Sequence, residues 1–243
     1  MPHTGLPVSP SADASRAQAA GTGPGSGVRA GEATMPAARE TLLDAAHVAV
    51  RARPWTAVRM VDVAAAAGVS RQTLYNEFGS KEGLGAALVD RLLDDFLDGA
   101  GRAVAEACGS GADPAACCAA AAHWILRTAR TEPIVRAALT DCWGARMPLP
   151  ARPAPGCGPG GEPGGLAAVL RGRALAGLER SGRMPVGGPV SGGPARRGAG
   201  RQELERAYEA GLRIALSYVV APEHGDEEPC GRVDEVVRAL LGG

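Results

Sequence analysis

The chain has few aromatic residues and no hydrophobic run long enough to cross a membrane. Aromatic side chains make up 3% of the sequence, and Lys81 is its only lysine. The longest apolar segment, Pro114 to Leu126, is shorter than the ~20 residues that span a bilayer. No charged segment followed by an apolar one marks a secretory leader. We therefore expect a soluble, cytoplasmic protein.

The cysteines include no CxxC pair and no Cys/His spacing that fits a metal site. They are Cys108, Cys117, Cys118, Cys142, Cys157 and Cys230. Reduced thiols are expected, and on a helix the adjacent Cys117 and Cys118 would point in different directions and could not readily bridge each other. We expect no metal and no cofactor. The sequence also lacks the phosphate loop, paired carboxylates or nucleophile–base set that would indicate an enzyme.

Composition and hydrophobic periodicity mark out the parts of the chain. Residues 1–34 are a mixture of Gly, Pro, Ser and Ala, which predicts a disordered tail. Apolar residues then recur at helical spacing from Pro36 to Arg53-Pro54, where proline disfavours continuation of a helix. Two Gly/Pro-rich stretches, near 144–165 and 182–200, predict long loops.

The C-terminal segments also follow a helical period. Their apolar residues recur at i, i+3 and i+4 in three groups: Ile134, Val135, Ala138, Leu139 and Cys142; Leu166, Val169, Leu170, Ala174 and Leu178; Val233, Val236, Val237, Leu240 and Leu241. No segment alternates as a strand would. We therefore expect an all-α fold, with a three-helix unit over residues 35–82 and a larger helical domain over residues 83–243.

The run over residues 60–81 has the pattern of a helix-turn-helix corner. Small Ala64 lets a second helix cross the first one closely. Gly68 can adopt the left-handed conformation that turns the chain, and Val69 fills the corner. Ser70 is placed to cap the next helix with its hydroxyl group.

The second helix of this corner exposes side chains that can read base pairs. Leu74 and Phe78, four residues apart, would face a small core. Arginine can bridge guanine O6 and N7, glutamine or asparagine can pair with adenine, and a threonine methyl can contact thymine. Phosphate contacts suit Tyr75 and Lys81, which fix the register of the protein on DNA. The predicted DNA-contacting residues of this region are Ser70, Arg71, Gln72, Thr73, Tyr75, Asn76 and Lys81.

The extended pattern Val-Ala-x-x-Ala-Gly-Val-Ser-x-x-Thr-Leu-Tyr-x-x-Phe-x-Ser-Lys-Glu-x-Leu resembles the tetracycline-repressor (TetR/AcrR) family of bacterial regulators. The segment from Gly68 to Leu84 carries most of the resemblance, which extends from Ala38 to Asp95. Trp55 matches the aromatic residue that the family usually has between its first two helices. Arg59 stands where the family usually has threonine; because its guanidinium can reach a phosphate, Arg59 joins the predicted DNA-contacting residues.

The resemblance implies a sequence-specific transcriptional regulator, in its simplest form a ligand-responsive repressor. It implies a homodimer whose recognition helices enter successive major grooves of a palindromic operator, and a C-terminal domain that binds a small-molecule effector. Such a protein would be cytoplasmic in a bacterium and nucleoid-associated when bound to DNA. The alternative is an all-helical binding protein or enzyme in which the helix-turn-helix is structural.

The C-terminal domain suggests two further hypotheses. In Gln202 to Val220, Ile214 and Tyr218 add apolar surface beside the main apolar face, so the segment either contacts a second subunit, with the helix near Val233 to Leu241 as partner, or is buried in the monomer. The candidate lining of an effector pocket is His123, Trp124 and Trp143, with plain core packing as the alternative.

Overall fold

The computed structural model describes residues 35–144, 146–151, 165–182, 195–222 and 225–242. Within these ranges the chain is helical and has no strand, so the predicted all-α fold is confirmed. The helices are α1 (Met35–Ala52), α2 (Met60–Ala66), α3 (Arg71–Phe78), α4 (Lys81–Gly109), α5 (Pro114–Thr131), α6 (Pro133–Thr140), α7 (Gly165–Arg180), α8 (Ala195–Val220) and α9 (Glu227–Leu240). The predicted tail, residues 1–34, lies outside the described ranges.

The first three helices and the start of α4 form a small N-terminal unit, here called the head. Leu42 and Ala46 of α1, Val63 of α2 and Leu74 of α3 are each at most 1% exposed, and Leu84 of α4 closes the core beneath them. Helix α1 ends just before Pro54, as the sequence predicts. A short 3₁₀ turn, Trp55–Ala57, then leads the chain into α2.

Helix α4 belongs to both halves of the molecule. It is 29 residues long and begins within the head, where Leu84 and Leu88 are fully buried. Further along, Phe96 and Val104 are buried in the C-terminal part, formed by α5 to α9 with the second half of α4 and here called the body. Within the body α4 packs most extensively on α7 and α5.

Two glycines allow α4 and α7 to cross closely. A Cβ atom on Gly177 of α7 would clash with the carbonyl oxygen of Gly101 in α4. A Cβ atom on Gly101 would in turn lie 2.8 Å from the Arg173 carbonyl oxygen. The backbones therefore touch at a point where no larger residue fits.

Helix α5 lies in the middle of the body, as its apolar sequence predicts. It contacts α4, α6, α8 and α9, and Cys117, Cys118, Ala121 and Ile125 are fully buried along it. Tyr208 of α8 is also fully buried, and its hydroxyl donates to the Pro114 carbonyl, 2.8 Å away, at the start of α5. None of the described helices is long and apolar enough to cross a membrane.

The structure differs from the sequence-based prediction at three places. Helix α8 begins at Ala195, within the predicted loop 182–200; Ala and Arg at 195–197 favour a helix, and the glycines that follow are tolerated. Cys142 lies beyond the end of α6, because Asp141 adopts a left-handed conformation with φ 53° and terminates the helix. Residues 152–164 and 183–194 of the two Gly/Pro-rich stretches lie outside the described ranges.

The third difference is a disulfide between Cys108 and Cys117, where reduced thiols were expected. Cys108 lies in the last turn of α4, and Cys117 in the first turns of α5. The turn between the two helices folds α5 back onto α4 and brings the two Cα atoms within 5.8 Å. The separation of nine residues gave no sign of this pairing, because it depends on where both helices end. Cys118, the adjacent residue, is a buried free thiol.

Candidate DNA-binding site

The corner between α2 and α3 has the geometry that its sequence predicts. Gly68 adopts a left-handed φ of 67°, which a side chain would disfavour. The next amide, that of Val69, donates to the Ala64 carbonyl at 3.0 Å and closes the turn. Ser70 then caps α3: its hydroxyl oxygen accepts a hydrogen bond from the Thr73 amide at 3.0 Å.

Helix α3 buries one residue and exposes a polar surface. Leu74 is fully buried, and Phe78 is half-buried on the same side. Arg71, Gln72 and Asn76 are exposed on the other side, beside half-buried Thr73 and Tyr75. The polar groups of α3 therefore point away from the core that holds the helix in place.

The exposed side chains of α3 hold one another in position. The Gln72 amide nitrogen donates to the Asn76 side-chain oxygen at 2.8 Å, and the Arg71 guanidinium lies over the Tyr75 ring, 5.4 Å from its centre. Such pairs restrict the rotamers of these side chains before any contact with DNA. Less side-chain conformational entropy is therefore lost when the same side chains contact bases.

Lys81 stands at the first position of α4, next to the head. Ser80 caps this helix by accepting from the Gly83 amide at 3.1 Å. The Lys81 ammonium donates to the Thr56 carbonyl at 3.3 Å and lies 5.2 Å from the centre of the Trp55 ring. The lysine therefore links α4 to the 3₁₀ turn and presents its charge beside the N-terminus of a helix.

Arg59 precedes α2 and pairs with an acidic residue that sequence analysis had not singled out. Its guanidinium donates two hydrogen bonds to Asp62, and Arg53 lies 3.5 Å from the same carboxylate. The hydrogen bond from Arg59 lowers the pKa of Asp62 below its ordinary value. The spacing of three residues on a helix was the signal available in the sequence.

The structure brings the predicted DNA-contacting residues together but separates the predicted pocket residues. Arg59 and Ser70 flank the corner, and the others lie on α3 and at the start of α4. His123 and Trp124 line a groove of about 520 Å³ between α4 and α5, whereas Trp143, which follows α6, does not line it. His123 is exposed, because it lies on the side of α5 that faces away from the core.

Trp124 has structural partners of its own. Its indole nitrogen donates to the Phe96 carbonyl at 2.9 Å, and the Arg127 guanidinium lies 5.3 Å from its ring centre. The ring lies directly against Gly99, where a Cβ atom would clash with it. These contacts account for the position of Trp124 as packing between α4 and α5.

The head and the body are joined by a polar contact that sequence analysis did not find. Glu132, between α5 and α6, accepts from His47 at 3.0 Å and from Arg51 at 2.7 Å, both on α1. The Trp55 amide donates to the Arg146 carbonyl at 2.7 Å. Among the described residues, no group of His, Cys, Asp and Glu side chains could hold a metal ion.

The structure thus consists of a helix-turn-helix head joined through one long helix to an all-helical body. Residues 42–88 match the family described as "Bacterial regulatory proteins, tetR family". This match covers the helix-turn-helix and the start of α4, and it confirms the predicted resemblance. The matched family consists of regulators rather than enzymes, as predicted.

A curated relative has a similar segment. The HTH-type transcriptional regulator AlkX of Mycobacterium tuberculosis is 46% identical over 67 residues, which are 28% of this chain and 32% of that protein. The chain thus matches about a third of the length of this curated relative.

Two solved structures match this chain over most of its length. The TetR family repressor AlkX from Dietzia sp. is 23% identical, with a TM-score of 0.50 over 84% of this chain and 95% of that one. A TetR-family transcriptional regulator from Streptomyces coelicolor is 20% identical, with a TM-score of 0.42 over 84% of this chain and 98% of that one. The likeness to the Dietzia repressor supports the predicted order of an N-terminal helix-turn-helix followed by a helical domain.

Proposed function

We propose that the chain is a sequence-specific transcriptional regulator that represses genes from a palindromic operator, as a homodimer whose affinity for DNA is set by a small-molecule effector. The observation that carries the proposal is the surface of α3. Arg71, Gln72 and Asn76 are exposed in a row on a helix that is capped by Ser70 and anchored by buried Leu74. Those three residue types are the ones that read base edges in a major groove.

The positively charged side chains around α3 support phosphate contacts. Lys81 stands beside one end of α3 and Arg59 beside the corner, so positive charge flanks the helix that would enter the groove. Phosphate contacts from such positions fix the orientation of the helix without reading sequence. Two relatives named above, a transcriptional regulator and a TetR family repressor, are consistent with this assignment.

The last two helices support the homodimer. Ile214 and Tyr218 of α8 are half-buried and share an open groove with Val236 of α9. The rim of that groove is charged with both signs, since Glu228, Arg232 and Glu235 surround it. An apolar floor with a mixed-charge rim suits a second copy of the same surface related by a twofold axis.

Selection of bound sequences from a random DNA pool tests the proposed function. A dimer would enrich an inverted repeat whose half-sites are about 10 base pairs or more apart, centre to centre. Enrichment of a single unrepeated site would contradict the homodimer. No enrichment at all, with the protein folded by circular dichroism, would reject the DNA-binding function and favour a structural role for the corner.

Two further measurements address assembly and location. Light scattering at micromolar concentration should give the mass of two chains, and a monomer would contradict the dimer. We propose that the protein is cytoplasmic and associates with the nucleoid when bound to DNA. A fluorescent fusion should therefore follow the nucleoid, and Lys81→Ala, which removes a proposed phosphate contact, should spread more of it through the cytoplasm.

A further inference from the structure

A cavity of about 490 Å³ opens between the head and the body. The head contributes the last turn of α1 and the Arg53-Pro54 pair that ends it. The body contributes the corner between α5 and α6, together with Arg146 and Met147. None of the predicted DNA-contacting or effector-pocket residues lines this space, so it is separate from both predicted sites.

The charged residues that line this cavity are mostly arginines. Arg51, Arg53 and Arg146 line it, and the one carboxylate among the lining residues is that of Glu132. Arg51 is paired with Glu132 at 2.7 Å, and Arg53 lies 3.5 Å from Asp62. Arg146 forms no ion pair within the described part of the chain. The three arginines that line the cavity therefore carry more positive charge than Glu132, the one carboxylate in the lining, can neutralise.

The first turn of α6 lies at the same wall, beside the last residue of α5, Thr131, where the helix dipole has the opposite sign. Pro133 and Ile134, the first two residues of α6, line the cavity. Glu132 stands at the N-cap position but makes no side-chain capping bond to the amides of that first turn. The N-terminus of a helix carries a partial positive charge and favours an anion nearby.

Apart from Thr131, the rest of the lining is apolar. Val50, Pro54, Ile134 and Met147 lie between the arginines, and Ile134 is only 3% exposed. The volume falls within the range of about 300–1,000 Å³ that is typical of small-molecule sites. Arginine forms charge-assisted, often bidentate, hydrogen bonds with a carboxylate, and an apolar lining favours a ligand that also has an apolar part.

We propose that this cavity between head and body binds a small organic anion, with a carboxylate group held by Arg146 and Arg51 and an apolar part packed on Ile134 and Met147. A carboxylate that reaches Arg51 competes with Glu132 for the same guanidinium. Since Glu132 holds α1 through both His47 and Arg51, the bound anion changes how the body holds the head. This regulatory consequence rests on the proposed function, whereas the binding itself does not.

Binding is tested on the full chain without DNA, by isothermal titration calorimetry with three probes. The probes are 2-naphthoate, its uncharged analogue 2-naphthamide, and inorganic phosphate, which has the charge but no apolar part. We expect 2-naphthoate to bind at least about 5-fold more tightly than either of the others, as expected for one charge-assisted hydrogen bond. Equal binding of 2-naphthamide or phosphate would overturn the proposal.

Variants locate the bound probe. Arg146→Gln should weaken 2-naphthoate binding by about 5- to 10-fold, through loss of one charged hydrogen bond. The matched control is Arg102→Gln, another exposed arginine without an ion-pair partner in the described chain, which lines the groove between α4 and α5. Loss of binding in Arg102→Gln with none in Arg146→Gln would place the probe in that groove and overturn the proposal.

Glu132→Gln should change the affinity for 2-naphthoate in the opposite direction to Arg146→Gln. A protein that had merely lost its fold would not bind the probe more tightly. Removal of the one carboxylate that lines the cavity should tighten 2-naphthoate binding several-fold. A fall in affinity would overturn the proposal. In a second experiment, 2-naphthoate at the lowest concentration that saturates the wild type should change its affinity for the selected operator by at least about 5-fold, an ordinary allosteric coupling. The same concentration should have a smaller effect on Arg146→Gln, which binds the probe more weakly.

The two proposals fail in different ways. Binding of 2-naphthoate by a protein that binds no DNA would reject the proposed function and leave the anion site standing. Operator binding that 2-naphthoate leaves unchanged, although the probe binds in the cavity, would overturn the regulatory part of the inference. Operator binding by a protein that does not bind 2-naphthoate would overturn the site itself.

Discussion

The guanidinium of Arg59 meets the carboxylate of Asp62 through two hydrogen bonds, with Nε 2.9 Å from Oδ2 and Nη2 2.8 Å from Oδ1. Arg53 is 3.5 Å from the same carboxylate, so one acidic side chain offsets two arginines beside the predicted DNA-binding surface. The carboxylate offsets part of the positive charge that a DNA phosphate would meet here. We therefore expect Asp62 to weaken binding to DNA of any sequence.

Asp62→Asn should raise the affinity for DNA of any sequence and make that affinity more dependent on salt. Each additional phosphate contact steepens the slope of log K against log salt by about 0.9, and we expect the variant to gain one such contact. Fluorescence anisotropy with operator and scrambled DNA at several salt concentrations measures the change. The control is Asp95→Asn, the same change of charge on an exposed residue of α4. An unchanged slope in Asp62→Asn would contradict the expected gain of a phosphate contact.

Arg71 and Lys81 should contribute to DNA binding in different ways. Arg71→Ala should cost about 1–3 kcal/mol at one position of the operator and relax the base preference there. Lys81→Ala should weaken all sequences evenly and flatten the salt dependence. The lysine variant also loses the bond to the Thr56 carbonyl, so its thermal midpoint must be compared with that of wild type. Equal losses on operator and scrambled DNA for Arg71→Ala would contradict its assignment to base reading.

Gly177→Ala should destabilise the body at the crossing of α4 and α7. The new Cβ atom would clash with the Gly101 carbonyl, and overpacking of this kind costs about 1–3 kcal/mol. Gly172→Ala on the same helix is the matched control, because nothing lies within 4 Å of its Cβ position. That change should stabilise the protein by up to about 1 kcal/mol, the difference in helix propensity between alanine and glycine. Urea unfolding measures both, and equal effects would show that the helices do not cross so closely.

Asp113 should make the stability of the body dependent on pH. Its carboxylate accepts from the Ala116 amide at 2.9 Å and from Arg238 of α9. The hydrogen bond from Arg238, followed by that from the amide, lowers the pKa of Asp113 below its ordinary value. A lowered pKa in the folded state means that this stabilisation is complete above the unfolded value of about 3.9. It is lost as the pH falls through that value towards the folded one.

Two variants of Asp113 separate its contributions. Asp113→Ala should cost about 0.5–2 kcal/mol at pH 7, because it removes the cap of α5. Asp113→Asn keeps a side-chain oxygen at the cap but has no carboxylate to protonate. Its stability should therefore fall less than that of wild type as the pH is lowered from 5 to 3. Urea unfolding over that range gives the comparison. Parallel pH profiles for wild type and Asp113→Asn would contradict the role of the charge.

The three free cysteines within the described residues should react with iodoacetamide in a fixed order. Burial, with a further contribution from Asp234, raises the pKa of Cys118 to about 12, and burial raises that of half-buried Cys230 to about 11. Cys142 is exposed. In the native protein at pH 8, Cys142 should be alkylated first and Cys118 only after unfolding, because the thiolate is the reactive form. Peptide mass spectrometry without reductant should also find Cys108 linked to Cys117, and early labelling of Cys118 would contradict its burial.

The sequence was most informative where a residue's role is local. Gly68 turns the chain and Ser70 caps the next helix through contacts with residues at most four positions away, so spacing alone located them. Asp62 is also marked by its spacing, three residues after Arg59. A negative charge, however, is not among the side chains that a DNA-binding surface is expected to carry. The residue spacing in the head therefore predicted its turn and helix cap better than its ion pairs.

Contacts between distant segments could not be predicted in this way. Glu132 is 85 residues from His47 and 81 from Arg51 in the sequence, so their meeting depends on how the body packs against the head. Residue type alone places Trp143 with Trp124 in one pocket. Asp141 ends α6, however, and Trp143 beyond it does not line the groove that Trp124 lines. The disulfide likewise depends on the turn that reverses the chain after α4.

The length of α4 sets how accurately the body must control the head. A helix of 29 residues is about 43 Å long at 1.5 Å per residue, and the disulfide at Cys108 ties its far end to α5. A tilt of only about 5° about that end displaces the Lys81 end by roughly 4 Å, close to the rise of one base pair in DNA. A small tilt of α4 within the body therefore shifts the predicted DNA-binding surface of the head by about the length of one base-pair step.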